Sequence, residues 1–208
     1  MAAASTSTFA ILGLLSIAPM SGYDTARAAE RSISYFWPIS KTHVYSELAR
    51  LEELGWAEAD EVRQDGLPDK RVFHITVEGE DALDAWLIEG KIPDDQYRSP
   101  FLIKLFIGHR IPRDKIHAMV EEYRVGAEAE RAALEEIVDM LAAEPKAAHV
   151  RATALLGLRV AEAALRWAEE VGPMLPTRRT TVDPRRKEAR KAHELFESAP
   201  IPPNRPKR

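Results

Sequence analysis

The sequence predicts a mainly α-helical chain with one small β-hairpin, split into an N-terminal domain of short elements and a C-terminal domain of long helices. Three observations carry this. Apolar residues recur at helical spacing in short runs over the first ninety residues. One segment there, "AEADEVRQDGLPDKRVFHIT", has strong turn signals (Asp65-Gly66 and Pro68-Asp69) between two extended stretches. After residue 100 the apolar spacing persists through two long runs, interrupted at Glu144-Pro145.

The elements follow in order. Ser7 or Thr8 can cap a helix through "FAILGLLSI", and Ala18-Pro19 marks its exit. "SGYDTARAAERS" forms a second short helix. The third is "SKTHVYSELARLEELGW", where Val44, Leu48, Leu51 and Leu54 give one buried stripe. Ser40 suits its N-cap, and Gly55 stands where a left-handed residue ends a helix. The hairpin strands are Ala57–Arg63 and "RVFHIT", with Phe73 and Ile75 on one face. Thr76 can cap a fourth helix, whose apolar face is Val77, Leu83, Trp86 and Leu87. Its first turn holds Glu78, Glu80 and Asp81, which suit the positive end of a helix dipole.

Three helices, a hairpin and a helix are the order of a winged helix-turn-helix, in which a helix enters the major groove and the hairpin leans on the flanks. The third helix crowds its first turn with Lys41, Thr42, His43, Tyr45 and Ser46, donors and amphipathic rings able to meet base edges or phosphate. Arg50 extends that set along the helix, and Arg63, Lys70 and Arg71 bracket the wing turn. These nine residues are the DNA-binding candidates, with double-stranded DNA the expected partner.

The stretches "FAILGLLSIAPMSGYDTAR", "YFWPISKTHVYSELARLEELGWAE" and "DGLPDKRVFHITVEGEDALDAWL" resemble a PadR-type transcriptional regulator. The shared pieces stand at Leu12 to Leu15, Ser21 to Tyr23, Tyr45 to Gly55 and Thr76 to Gly79. "FWP" and "SPFLIKLFIG" resemble the longer PadR subgroup, whose C-terminal half is a virulence-activator-like helical dimerisation region. The resemblance implies a dimeric repressor that binds an inverted-repeat operator and is relieved by a ligand or signal. The wing "QDGLPDKR" is less basic than wings of that family often are.

Charge pulls the other way. Residues 1–89 hold seven Lys/Arg against fifteen Asp/Glu, within a net charge of −4 for the chain. Nucleic-acid binders usually show a basic footprint, so DNA binding requires these few cations to share a face. The alternative is a winged-helix module for protein contacts without specific DNA binding. The absence of cysteine excludes disulfides and thiolate metal sites and fits a reducing, cytoplasmic setting. The opening "MAAASTSTFAILGLLSIAPMSG" lacks the positive start of a signal peptide, and no stretch is long enough to span a bilayer.

The expected organisation is a winged helix-turn-helix domain over 1–90, a linker over 91–98, a helical dimerisation domain over 99–175, and a basic Pro-rich tail over 176–208. Within the third part, "FLIKLFIG" is a short helix, and Pro112 opens a long one with Ile116, Val120, Tyr123, Ala127 and Leu134 at apolar positions. The last helix, from about Lys146 to Val171, has two apolar faces. Val150, Ala154, Leu158, Ala161 and Leu165 form one; Leu156, Val160, Ala164, Trp167 and Val171 form the other. A helix apolar on both sides must be sandwiched, by a second subunit in a homodimer or within the monomer. Val150, Leu158, Leu165 and Trp167 are the dimerisation candidates. Phe106, Tyr123 and Trp167 are candidates for a pocket holding a small aromatic or apolar effector, with ordinary core packing as the other reading. The tail cations Arg178, Arg179, Arg185, Arg186, Lys187, Arg190 and Lys191 could touch phosphate or simply be solvated.

No Gly-rich phosphate loop, nucleophile elbow or cysteine site is present, so no enzyme and no cofactor is expected. His117 with Glu121, extended by His109, and His193 with Glu197 have metal-ligand spacing, but two or three such residues without a second motif read as surface, and no metal is assigned. The acid pairs Glu52-Glu53 and Asp94-Asp95 are expected to face solvent.

Overall fold

The computed structural model describes residues 4–63, 70–89, 98–175, 194–195 and 197–199. The wing turn over 64–69, Asp94 and Asp95, most of the expected linker and the tail cations lie outside the described residues. The chain divides into two units, Met1–Pro93 and Asp94–Arg208.

The first unit contains α1 (Thr6–Ile17), β1 (Met20–Ser21), α2 (Gly22–Ser32), α3 (Lys41–Glu53), β2 (Ala57–Val62), β3 (Lys70–Ile75) and α4 (Val77–Glu89). Ser5, rather than Ser7 or Thr8, caps α1. Its hydroxyl accepts the Thr8 N–H, and the Thr8 hydroxyl accepts the Ser5 N–H, so both side chains satisfy orphan donors reciprocally. Thr8 is thereby inside the helix and fully buried. Ser21 caps α2 and Ser40 caps α3. Gly55 adopts φ +72, the left-handed conformation that ends α3 without a Cβ penalty.

The core is Ile11, Leu12, Leu14 and Leu15 of α1 packed with Ala29, Val44, Leu48, Leu51, Ala57, Phe73 and Leu83. The stripe of α3 is therefore buried as its spacing predicts, with Leu54 only half-buried at its end. The face of α4 is narrower than expected. Leu83 is buried and Trp86 stacks on Phe9 (4.8 Å, 6°), while Val77 and Leu87 are exposed. The hairpin is also part of a larger sheet, because β1 adds to it in the order β1-β3-β2, all antiparallel. Met20 pairs with Phe73 and Ser21 with Val72, making β3 the central strand.

The second unit contains α5 (Pro100–Phe106), α6 (Arg113–Met140) and α7 (Ala148–Met174). Ser99 caps α5 with Pro100 at the first helical position, where its missing N–H costs nothing. α6 and α7 form a long helical hairpin, with Ile116, Val120, Ala127, Leu134 and Val138 buried on one side and Ala154, Leu158, Ala161 and Ala168 on the other. α7 runs three residues past the expected end, with Pro173 inside its last turn.

Candidate nucleic-acid interface

Burial sorts α3 into two faces. Val44, Leu48 and Leu51 turn inward, while Lys41, Thr42, His43, Tyr45 and Ser46 are all exposed around its N-terminal turns. The Ser40 hydroxyl accepts the His43 N–H at 3.2 Å, and the Ser46 hydroxyl donates to the His43 carbonyl at 2.8 Å. Tyr45 lies against Gly22 at the start of α2, so closely that a Cβ at that position would collide with its ring. Its ring is thus a packing element between the two helices as well as an exposed group.

Between α2 and the start of α3 runs an open groove of about 730 Å³, lined by Tyr23, Arg27, Glu30, Arg31, Ile39 and Lys41 among others. Lys41 Nζ sits 5.0 Å above the Tyr23 ring, a cation–π contact that holds the ammonium at the groove's edge. Arg27 and Arg31 are one turn apart on α2 and face the same space. Three of the seven cations of residues 1–89 therefore meet beside the exposed turn of α3, with Glu30 the acid among them. Sequence reasoning missed Tyr23, Arg27 and Arg31. Their i, i+4 and i, i+8 spacing on one helix was the available signal.

The remaining candidates are more divided. Arg63 is exposed and Lys70 half-buried, and both stand at the ends of the wing strands. Arg71 is ion-paired with Glu52 of α3 and lies 5.1 Å over the Phe73 ring. Glu52 is accordingly a tether, which corrects the expectation that the Glu52-Glu53 pair simply faces solvent. Arg50 is half-buried toward the end of α3. On the wing, His74 of β3 lies 3.1 Å from Glu58 and 3.7 Å from Asp60 of β2.

Glu47 was not foreseen. It is 6% exposed, and its Oε2 accepts the Thr8 hydroxyl at 2.7 Å across the α1–α3 layer. Its Oε1 lies 3.4 Å from His43 Nε2.

In the second unit the dimerisation candidates separate. Leu158 is 5% exposed within its own chain, facing the hairpin, and Leu165 is half-buried. Leu158 is therefore corrected from a free dimer face to hairpin core. The outward apolar residues of α7 include Leu156 (68% exposed) and Val160 (58%), with Val150 (52%) near its start. Tyr123 and Trp167 meet edge to face at 5.5 Å, and Phe101 stacks on Tyr123 at 4.5 Å. Phe101 was not anticipated; the third expected member, Phe106, is 69% exposed.

Arg124 hydrogen-bonds Glu121, and Arg131 bridges Glu128 and Glu135. Those hydrogen bonds hold the Glu121 and Glu128 carboxyls below the usual range, and their partner guanidinium groups above theirs. Glu121 is thus occupied by Arg124 rather than aimed with His117 at a shared ion. Among the described residues no group of three His, Cys, Asp or Glu could hold a metal, and no helix is long and apolar enough to cross a membrane.

Residues 11–85 match the model of the transcriptional regulator PadR-like family, and residues 97–175 match that of the virulence activator alpha C-term. Among curated proteins the chain is 39% identical over 84 residues (40% of this chain, 44% of the relative) to "Probable transcriptional regulator Rv1176c" of Mycobacterium tuberculosis. It is 28% identical over 98 residues (47% and 54%) to "Negative transcriptional regulator PadR" of Bacillus subtilis. The chain aligns over about half the length of these relatives. Among solved structures, smu.1604c of Streptococcus mutans superposes with TM-score 0.72 at 26% identity, covering 80% of this chain and 98% of that one. Bacillus subtilis PadR in complex with operator DNA gives 0.73 at 21%, covering 84% and 100%. The same protein in complex with p-coumaric acid gives 0.64 at 21%, covering 80% and 96%. At that identity the PadR superpositions show a shared fold. The chain therefore carries a domain that matches the transcriptional regulator PadR-like family, followed by one that matches the virulence activator alpha C-term.

Proposed function

We propose that the chain is a dimeric, cytoplasmic DNA-binding regulator that represses transcription from an inverted-repeat operator and is relieved by a small aromatic or apolar effector. One observation carries the DNA-binding part: in an acidic domain, Arg27, Arg31 and Lys41 converge on the groove beside the exposed first turn of α3. That arrangement suits α3 in the major groove with α2 crossing the phosphate backbone. Thr42, His43 and Ser46 are then nearest the bases, and Arg63 and Lys70 are at the flanks. The outward stripe of α7, Leu156 and Val160, supports a second copy as partner. Phe101, Tyr123 and Trp167 form the ring cluster against which a flat effector would compete. The repressor and effector parts also draw on the relative named as a negative regulator and on the p-coumaric acid complex.

The test is a titration of selected and scrambled duplexes at several salt concentrations, with Thr42→Ala and Lys70→Ala beside the parent. Lys70→Ala should weaken all sequences alike and lower the salt slope by about one unit. Thr42→Ala should cost about 1–3 kcal/mol on the selected duplex only. A parent that prefers no duplex, with or without aromatic acids, replaces this reading with the protein-contact module, which the acidic strand Glu58, Asp60 and Glu61 would then serve.

A further inference from the structure

Among the described residues, the buried polar or charged side chains are Thr8, Ser21, Thr25 and Glu47, and Glu47 alone of these is a carboxylate. A buried carboxylate is a weak contributor to stability compared with an apolar side chain of similar volume, so its place in the α1–α3 layer asks for another reason. Its contacts supply one. Oε2 is anchored by the Thr8 hydroxyl at 2.7 Å, and Thr8 is itself held by the reciprocal bonds with Ser5. Oε1 faces Nε2 of His43, one turn back, at 3.4 Å.

A carboxylate oxygen accepts hydrogen bonds, so Oε1 favours hydrogen on the ring nitrogen that faces it. In a neutral imidazole the other nitrogen, Nδ1, is then an acceptor. Nδ1 lies 3.4 Å from the Ser46 Oγ, and the Ser46 hydroxyl donates its own hydrogen to the His43 carbonyl oxygen at 2.8 Å. Two acceptors, Nδ1 and Ser46 Oγ, therefore stand side by side on the exposed face of α3. In the major groove, acceptors match an exocyclic amino group, which adenine offers at N6 and cytosine at N4.

We propose that Glu47 is a positioning residue for His43: anchored by Thr8, it fixes the imidazole with Nδ1 as acceptor, so that α3 selects adenine or cytosine at the position His43 faces. The use of the fixed ring rests on the DNA-binding reading above. The hold of Glu47 on the ring does not.

The full-length protein serves for two measurements. Nitrogen-15 NMR of the DNA-free protein at about pH 8, where an ordinary imidazole is neutral, reads which His43 nitrogen carries hydrogen. The parent should show hydrogen on Nε2. Glu47→Gln, whose amide can also donate to the ring, and Thr8→Val, which removes the anchor, should show a mixture. Hydrogen on Nδ1 in the parent, or a tautomer unchanged in both variants, overturns the proposal and leaves DNA binding untouched. In the second measurement, duplexes selected by the parent from a random pool are varied base by base. One half-site position should favour adenine or cytosine by about tenfold or more. That preference should shrink to about twofold in Glu47→Gln and Thr8→Val and persist in Thr8→Ser, which keeps the hydroxyl. Equal weakening on every sequence would mean that Glu47 only stabilises the helix, which overturns the proposal. A parent with no preferred duplex overturns both the base selection and the DNA-binding reading, while the NMR result still decides whether Glu47 holds the ring.

Discussion

Arg71 of β3 and Glu52 of α3 are joined by an ion pair that ties the wing to the end of α3, with the guanidinium lying over Phe73. The pair uses one of the few cations of an acidic domain. Glu52→Gln should release it, raising affinity for scrambled DNA and steepening the salt slope by about one unit. Because both side chains are partly exposed, stability should change by no more than about 1 kcal/mol. Salt titration and denaturant unfolding on the same variant check the two halves of this expectation.

Core and surface positions of α3 should separate cleanly. Leu48 and Leu51 are buried to 1% and 0% exposure, so truncation to Ala should cost roughly 2–5 kcal/mol each. Thr42 is exposed, and Thr42→Ala should stay within about 0.5 kcal/mol. Urea unfolding of the three variants measures this, and a Thr42→Ala loss as large as the others would reverse the assigned faces.

Two glycines should fail for different reasons. Gly55→Ala places a Cβ in the left-handed region and should cost about 1–2 kcal/mol with DNA binding otherwise intact. Gly22→Ala meets the Tyr45 ring, which must swing away from α2. Its signature should be a changed Tyr45 environment in NMR and weaker operator binding, rather than stability loss alone.

The faces of α7 give the oligomer test. Leu156→Asp with Val160→Asp changes the outward stripe and should yield folded monomers by sedimentation. Leu158→Asp puts a charge inside the hairpin and should lower helicity and melting temperature instead. A parent that sediments as a monomer at micromolar concentration would remove the dimer from the proposal.

Acid should loosen the α6–α7 hairpin. The folded-state carboxyls of Glu121 and Glu128 are depressed by hydrogen bonds from Arg124 and Arg131, so their contribution is present above the ordinary glutamate range. It is lost as pH falls through the lowered folded values. Arg124→Ala with Arg131→Ala should therefore flatten the decline of stability below about pH 4, followed by thermal melts across that range. Both carboxylates are on the surface, so the effect should shrink in high salt.

Much of the fold was legible because its signals are periodic. Val44, Leu48 and Leu51 lie at helical spacing, and the caps Ser40 and Thr76 precede their helices. β1 escaped because two residues have no period, and its partner Phe73 is more than fifty positions away. Glu47 occupies a position that spacing assigns to the buried face, three after Val44, and only its charge argued for solvent. The bond that makes burial tolerable comes from Thr8, thirty-nine residues earlier. The inward face of α7 did leave a trace: Ala154, Ala161 and Ala168 recur every seventh residue, small side chains where two helices approach. Apolarity alone could not distinguish that face from the one carrying Leu156 and Val160.

The sheet order has a mechanical meaning. β3 is bonded along both edges, to β2 and to β1, and β1 runs without a break into α2. A two-stranded wing is a flap that can bend at its root. Here the root is stitched to the chain entering the first helix of the helix-turn-helix, so a push on the wing loads α2 directly. Wing and groove are thereby linked through β1, and a tilt of one should carry the other with it.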